Sequence, residues 1–365
     1  MKRIGWTLLL AVLALAAYLS WWPVPIHAVS WQAPAAPGYS GVHAVNRKLA
    51  GLNLISLGGE AGPEHVVLGR DGKLYAAMAS GNIVRMNPDG SAQEVFVHTG
   101  GRVLGFDFDA VGRLIAADAV KGLLAITPDK KISVLADKVG DDPIRYADAV
   151  VVAGNGKIYF SDASGRFAPA QWGGTFEAAV LDILEQASTS RILEHDPGSG
   201  RTRVVARGLS FANGVALSGD ERSLFVAETG KYRVWKIDVE ANDLQVGAGS
   251  PQASVLFDNL PGYPDNLMRG AAGRIWVGIS GPRSPNVDAM ADKPFLRELT
   301  LRLPRALWPL PKPYGHVFAF SEDGRVVDDL QDPSGIYPQT TGLTETADRL
   351  YVQNLHLPVL GWKAR

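Results

Sequence analysis

The chain has 365 residues, 46% of them hydrophobic and 20% charged, with 36 basic against 37 acidic side chains. This balance excludes a basic nucleic-acid clamp and a weakly hydrophobic disordered chain, so no nucleic-acid partner is expected. The absence of cysteine removes disulfides, thiolate catalysis, zinc–thiolate sites and iron–sulfur clusters together, leaving oxygen donors and seven histidines for any metal.

At the amino terminus, Lys2 and Arg3 precede an uncharged run of nineteen residues, Ile4 to Trp22. At about 1.5 Å per helical residue this run matches the hydrocarbon thickness of a bilayer. Trp21 and Trp22 stand as interfacial anchors, Pro23 and Pro25 stop the helix, and the basic pair marks the cytoplasmic side. Residues 1–27 are read as an uncleaved signal anchor and 28–45 as a linker. The body, 46–365, is expected outside the cytoplasm, periplasmic or extracellular. The alternative is a secreted chain cleaved near Ala14-Leu15-Ala16.

The body leans all-β, with 40 glycines and 23 prolines for tight turns. One phrase recurs, a turn followed by an apolar pair: Asp71-Gly72-Lys73-Leu74-Tyr75, Val111-Gly112-Arg113-Leu114-Ile115 and Asn155-Gly156-Lys157-Ile158-Tyr159, then Glu221-Arg222-Ser223-Leu224-Phe225, Ala272-Gly273-Arg274-Ile275-Trp276 and Ala347-Asp348-Arg349-Leu350-Tyr351. Each copy reads as a hairpin between two short strands. The last residues of the copies are separated by 40, 44, 66, 51 and 75 positions, a minimal repeat with insertions in its later copies. A closed ring tolerates such insertions and leaves few open edges, so the expected fold is a six-bladed β-propeller.

Two insertions read as helices capping one face. Phe176, Ala179, Val180, Ile183, Leu184 and Ala187 form an apolar stripe at helical spacing, with Thr175 as the expected cap. The second runs from about Asp292, with Pro294 in its first turn, through Phe295, Leu296, Leu299 and Leu303 to Pro304.

Counting back eleven residues from each marker, or twelve in the fourth copy, reaches Glu64, Leu104, Asp148, Asn213, Asp265 and Thr340. Equivalent positions on innermost strands converge on the propeller axis. Glu64, Asp148, Asn213 and Asp265 would therefore crowd oxygen atoms at one depth, where the acids repel unless a cation neutralises them. A roomy set of hard oxygen donors predicts Ca²⁺, with Asn266 as a further ligand or an orienter of one. Arg102, two residues before Leu104, is a candidate for holding a substrate carboxylate. Phe211 and Tyr263, each two residues before a proposed ligand, are candidates for the pocket wall. His316 and His356 have no partner at triad spacing and are assigned no chemistry.

The segments Gly62-Pro63-Glu64, Gly101-Arg102-Val103-Leu104-Gly105, Tyr159-Phe160-Ser161-Asp162-Ala163-Ser164, Phe211-Ala212-Asn213-Gly214-Val215-Ala216, Val226-Ala227-Glu228-Thr229 and Pro261-Gly262-Tyr263-Pro264-Asp265-Asn266 resemble the strictosidine-synthase-like group. That group lies within the gluconolactonase and paraoxonase superfamily of six-bladed propellers. The likeness covers roughly residues 50 to 360, and is strongest to the adipocyte plasma-membrane-associated type, which also carries an amino-terminal anchor. It implies one catalytic calcium, with ligands at Glu64, Asp148, Asn213 and Asp265. Many relatives carry Asn where this chain has Asp148, and the Asp that commonly follows is Ala149 here. The catalytic His of paraoxonases falls near Leu104 and Gly105, so a His mechanism does not carry over. Glu345 lies near the phase of the acid used by plant strictosidine synthases, within a Thr344-Glu345-Thr346 turn.

The expected activity is calcium-dependent hydrolysis of lactones or aryl esters. The cation would polarise the carbonyl of a small-molecule substrate, and Asp265 would act as the catalytic proton acceptor. The alternative is a non-catalytic exported propeller that binds a ligand or protein around a structural calcium. No Gly-x-Ser-x-Gly elbow, P-loop or dinucleotide fingerprint is present.

Overall fold

The computed structural model describes residues 2–365, and the body is a ring of six antiparallel four-stranded blades. The recurring phrase marks the second strand of each blade: Leu74–Ala77, Leu114–Asp118, Ile158–Asp162, Ser223–Glu228, Ile275–Pro282 and Arg349–Asn354. The hairpins before them need a left-handed residue, which Gly72, Gly112, Gly156 and Gly273 supply. In the fourth copy Glu221 takes that conformation, and its carboxylate accepts the Gly154 N–H of the preceding blade.

Each second strand carries a short apolar run because it is covered by both neighbouring blades. Leu74 and Ala76 pack with Tyr351 and Leu360 of blade six, while Tyr75 and Ala77 pack with Phe106 and Leu114 of blade two. The ring is sealed by chain segments far apart in sequence. Asn53–Ser56 pairs with Val359–Ala364 in blade six, with Ile55 opposite Leu360. The sequence reading did not anticipate this closure. Blade three carries an extra short strand, Leu244–Gln245, parallel to Arg201–Leu209.

Four α-helices are formed by the described residues: α1, Lys2–Trp21; α2, Thr175–Glu185; α3, Pro285–Ala289; and α4, Pro294–Arg302. Among these, α1 is long and apolar enough to cross a membrane, with a mean hydropathy of 1.9 over Arg3–Trp21. The other three arise between the second and third strands of blades three and five, and so lie at the same end of the ring.

Two helix expectations need correction. The cap of α2 is Gly174, at φ 123°, and Thr175 is already helical. In α4 the buried residues are Arg297, Thr300 and Arg302 rather than the apolar stripe, and Phe295 faces outward. The cause is the exposed carbonyl end of α2: Arg297 Nη1 donates to the Leu184 carbonyl at 2.9 Å, and Nη2 donates to that of Val29.

The segment expected as a linker is a docked strap. Val29 N–H donates to the Glu185 carbonyl at 2.8 Å, Trp31 N–H to that of Ala291 at 3.1 Å, and Arg283 Nη2 to that of Pro34 at 2.7 Å. Further along, His43 Nδ1 and His316 Nε2 both bond Asp329 Oδ2, at 2.7 and 2.9 Å.

Candidate metal centre and binding pocket

Five of the six innermost strands start with a register shift. The ladder skips between Val103 and Gly105, Ala147 and Val150, Ala212 and Val215, Pro264 and Leu267, and Thr340 and Leu343. A bulge re-aims the unpaired residues, and those here include Leu104, Asp148, Asn213 and Asp265. Glycines let neighbouring strands touch at this level. A Cβ at Gly214 would lie 2.5 Å from the Asp265 carbonyl oxygen, and one at Gly105 2.8 Å from that of Asp148.

Glu64, Asp148, Asn213 and Asp265 all line the floor of one cavity of about 320 Å³. All four are buried. Burial raises the pKa of Asp148 well above the carboxylate range, and the charges of Glu64 and Asp265 raise it further. Burial and Glu64 do the same to Asp265, against the opposing hydrogen bonds from Ser280 and Asn213. Glu64 is also raised by burial, though its Arg102 partner pulls it down. Arg102 offsets one of three negative charges, so the ionised site carries an excess of two. The Asn213 Oδ1 is buried with no partner. An oxygen-only set of this charge with an orphaned carbonyl oxygen fits a hard divalent cation.

Arg102 Nη2 bonds Glu64 Oε2 and Nη1 bonds the Met78 carbonyl, and the residue does not line the cavity. Its expected role as a clamp for a substrate carboxylate is therefore replaced by charge balance beneath the floor. Asn266 donates to the Glu64 carbonyl at 3.0 Å, which makes it an orienter of the site. Phe211 and Tyr263 line the cavity wall. Phe211 is held at φ +53°, a strained conformation for a bulky residue, with its ring edge-on to Tyr146 at 5.2 Å. Thr340 lies off the floor and bonds the blade-five backbone at Ile279 and His316. Glu345 is at the far end of the ring, accepting from Trp276 Nε1 at 2.9 Å and paired with Arg365.

Tyr146 and Ser280 line the cavity and were missed. Tyr146 was legible: it precedes Asp148 by two positions, as Phe211 and Tyr263 precede their ligand candidates. Ser280 comes from a second strand, whose phase carried no marker.

The α2 stripe is the cavity roof. Phe176, Ala179, Val180, Ile183 and Leu184 all face the cavity, while Ala178, Leu181 and Asp182 pack behind it. Trp308 and Leu310, beyond α4, complete the wall. The chamber is thus apolar above and acidic below. Among the described residues, the group whose ligand atoms all lie within 4.8 Å of one another is His43, His316 and Asp329; the carboxylate oxygens of Glu64, Asp148 and Asp265 stand further apart than that. That group lies outside the cavity and fastens the strap to blade five.

An acidic axial floor under an apolar roof, within a six-bladed ring, marks this chain as a propeller with a chamber on its axis. The chain belongs to the family described as SMP-30/Gluconolactonase/LRE-like region, which it matches over residues 65–288, and it matches the Strictosidine synthase-like N-terminal family over 41–86. Protein STRICTOSIDINE SYNTHASE-LIKE 4 of Arabidopsis thaliana is 32% identical over 260 residues, 70% of this chain and 66% of that protein. The chain thus spans about two thirds of that plant relative. The adipocyte plasma membrane-associated protein of Salmo salar is 28% identical over 363 residues, 92% of this chain and 83% of that protein. The fold is shared with a gluconolactonase from Xanthomonas campestris, at TM-score 0.62 and 17% identity, covering 94% of this chain and 97% of the other. It is also shared with the calcium-binding protein regucalcin of Agrobacterium tumefaciens, at TM-score 0.56 and 13% identity, covering 86% and 94%.

Proposed function

We propose that this protein is a calcium-dependent hydrolase of lactones or carboxylic esters. The observation that carries the reading is that Glu64, Asp148, Asp265 and Asn213, whose Oδ1 is unpartnered, line the floor of one apolar chamber. These four side chains would hold Ca²⁺, the ion named for the regucalcin neighbour. When bound, the cation supplies Lewis-acid polarisation of a carbonyl oxygen. The chain supplies the rest. The α2 roof and Trp308 exclude water and take the apolar part of the substrate, and Phe211 and Tyr263 fix its plane against the wall. Asp265, whose carboxylate lies in the floor, would accept the proton of the attacking water at the oxygen not committed to the cation.

With α1 as the anchor, the amino-terminal basic pair favours a body outside the cytoplasm. The membrane-associated relative supports the anchor. Hydrolysis of phenyl acetate and of five- and six-membered lactones, with and without a calcium chelator, tests the activity. Turnover is expected to vanish on chelation and return with calcium. Undiminished turnover in chelator would overturn the reading.

A further inference from the structure

The strongest unexplained feature is where α1 lands. Most of the helix touches nothing, and its last turn meets α4. Tyr18 Oη donates to the Arg302 carbonyl at 3.1 Å, and Arg302 Nε returns a bond to the Trp22 carbonyl at 2.7 Å. Arg302 is itself buried. The chain then carries Val24, Ile26 and Ala28 into the cluster of Leu181, Leu184, Leu301 and Phe211, the packing that supports the cavity roof. The end of the apolar helix and the lid of the chamber are one packed unit.

The same end of the molecule exposes apolar side chains. Trp21 and Trp22 are 80% and 58% exposed, Phe295 51%, Leu307 65% and Leu310 45%. Leu310 also lines the chamber, so this patch borders its mouth. Charge runs the same way. From Leu299 to Ser321 there is no Asp or Glu; Arg302 is buried and Arg305 pairs with Glu177, which leaves Lys312 as the exposed cation beside Pro309, Pro311 and Pro313. Exposed apolar side chains on a proline-rich segment that lacks free acids suit the boundary between headgroups and acyl chains.

We propose that the cavity-bearing face of the propeller lies on the bilayer that holds α1, with Phe295, Leu307 and Leu310 in the boundary between headgroups and acyl chains. The occupant of this face is the lipid surface itself. Because Arg302 joins α4 directly to the end of the helix, α4 sits at the height at which α1 leaves the hydrocarbon, and the Leu307–Lys312 segment follows within a few residues. The mouth of the chamber then opens into the lipid interface rather than into bulk water.

The chain contains no cysteine, so a single introduced thiol reports one position. Full-length Leu307→Cys and Phe295→Cys, labelled with an environment-sensitive fluorophore, are reconstituted into phosphatidylcholine–phosphatidylglycerol vesicles carrying spin-labelled lipid. Val111→Cys, at an exposed hairpin on the opposite end of the ring, is the reference. The proposal expects blue-shifted emission and strong quenching by shallow spin labels at positions 307 and 295, and none at 111. Red-shifted, unquenched emission at 307 and 295 would place the face in water and overturn the proposal. Blue-shifted emission without quenching would assign it to a second copy of this chain, and would overturn it equally.

Discussion

Asn266 Nδ2 donates to the backbone carbonyl of Glu64 at 3.0 Å, across 202 positions of sequence, and so fixes blade five to blade one at the level of the acidic floor. Thr341 Oγ1 donates to the same carbonyl at 2.7 Å. Glu64 is thereby held from two other blades. Asn266→Ala is expected to cost about 1–2 kcal/mol of stability by leaving a buried acceptor under-satisfied, and to weaken calcium binding. Thermal unfolding and calcium titration of the variant check both effects. Asn266→Asp is expected to be worse, because it sets an acceptor against an acceptor.

The crowded carboxylates predict a reversal of rank order. In chelator, Asp148→Asn replaces a carboxyl whose ionisation is opposed first by burial and then by Glu64 and Asp265, and is expected to raise the melting temperature above wild type. In millimolar calcium the wild type is expected to be the more stable. A site saturated a hundredfold contributes about 2.7 kcal/mol by mass action, and the variant forfeits part of it. Melting curves of both proteins in the two buffers decide the matter, and an unchanged order would count against a cation at this floor.

Asp182, behind the roof, predicts a pH effect of definite sign. Burial lifts its pKa from the ordinary 3.8 to about 7, opposed by the Ser164 hydroxyl at 2.6 Å and reinforced by the nearby charge of Glu185, which pairs with Arg166. The folded protein therefore holds a proton that the unfolded chain releases at lower pH. Stability from this group is highest below about pH 4, falls as the pH rises to about 7 and is flat above, by at most about 4 kcal/mol at roughly 1.4 kcal/mol per unit. Asp182→Asn is expected to abolish that slope in denaturant titrations across the range. Asp329 acts oppositely. Burial would raise it, but hydrogen bonds from His316 and His43 outweigh that and hold it below the usual range, so its stabilisation is lost as acid is added.

Gly214 has no room for a side chain between the strands bearing Asn213 and Asp265. Gly214→Ala is expected to cost about 1–3 kcal/mol by overpacking and to lower calcium affinity by displacing Asp265. Asn213→Ala, which leaves the spacing intact, is expected to lower affinity with a smaller loss of stability. Parallel melting and calcium titrations separate the two.

If the mouth of the chamber rests on lipid, Phe295→Glu combined with Leu307→Glu is expected to leave phenyl acetate hydrolysis nearly unchanged. Hydrolysis of a long-chain lactone carried in vesicles is expected to fall about tenfold, since neither residue lines the cavity. Equal losses on both substrates would argue for a disturbed fold instead.

The repeat was legible because each blade must turn at the same place, and the turn demands glycine or a short polar residue before an apolar pair. That phase located the floor as well, since a fixed count from Tyr159 or Trp276 reaches Asp148 or Asp265. What the sequence hid depends on contacts without a period. Arg102 could not be assigned to Glu64 because the pair crosses two blades. Nor does the helical spacing of α4 reveal that Arg297 must turn inward, because its partners are carbonyls at the end of another helix. The exposed Phe295 is the other half of the same fact.

Closure by Asn53–Ser56 against Val359–Ala364 also sets an order of events during synthesis. The ring cannot shut until its final strand, Val359–Ala364, has emerged, long after α1 at Lys2–Trp21. A chain whose apolar helix has already entered a bilayer must therefore complete its propeller while tethered there. The last blade to zip is the one next to the tether's own continuation.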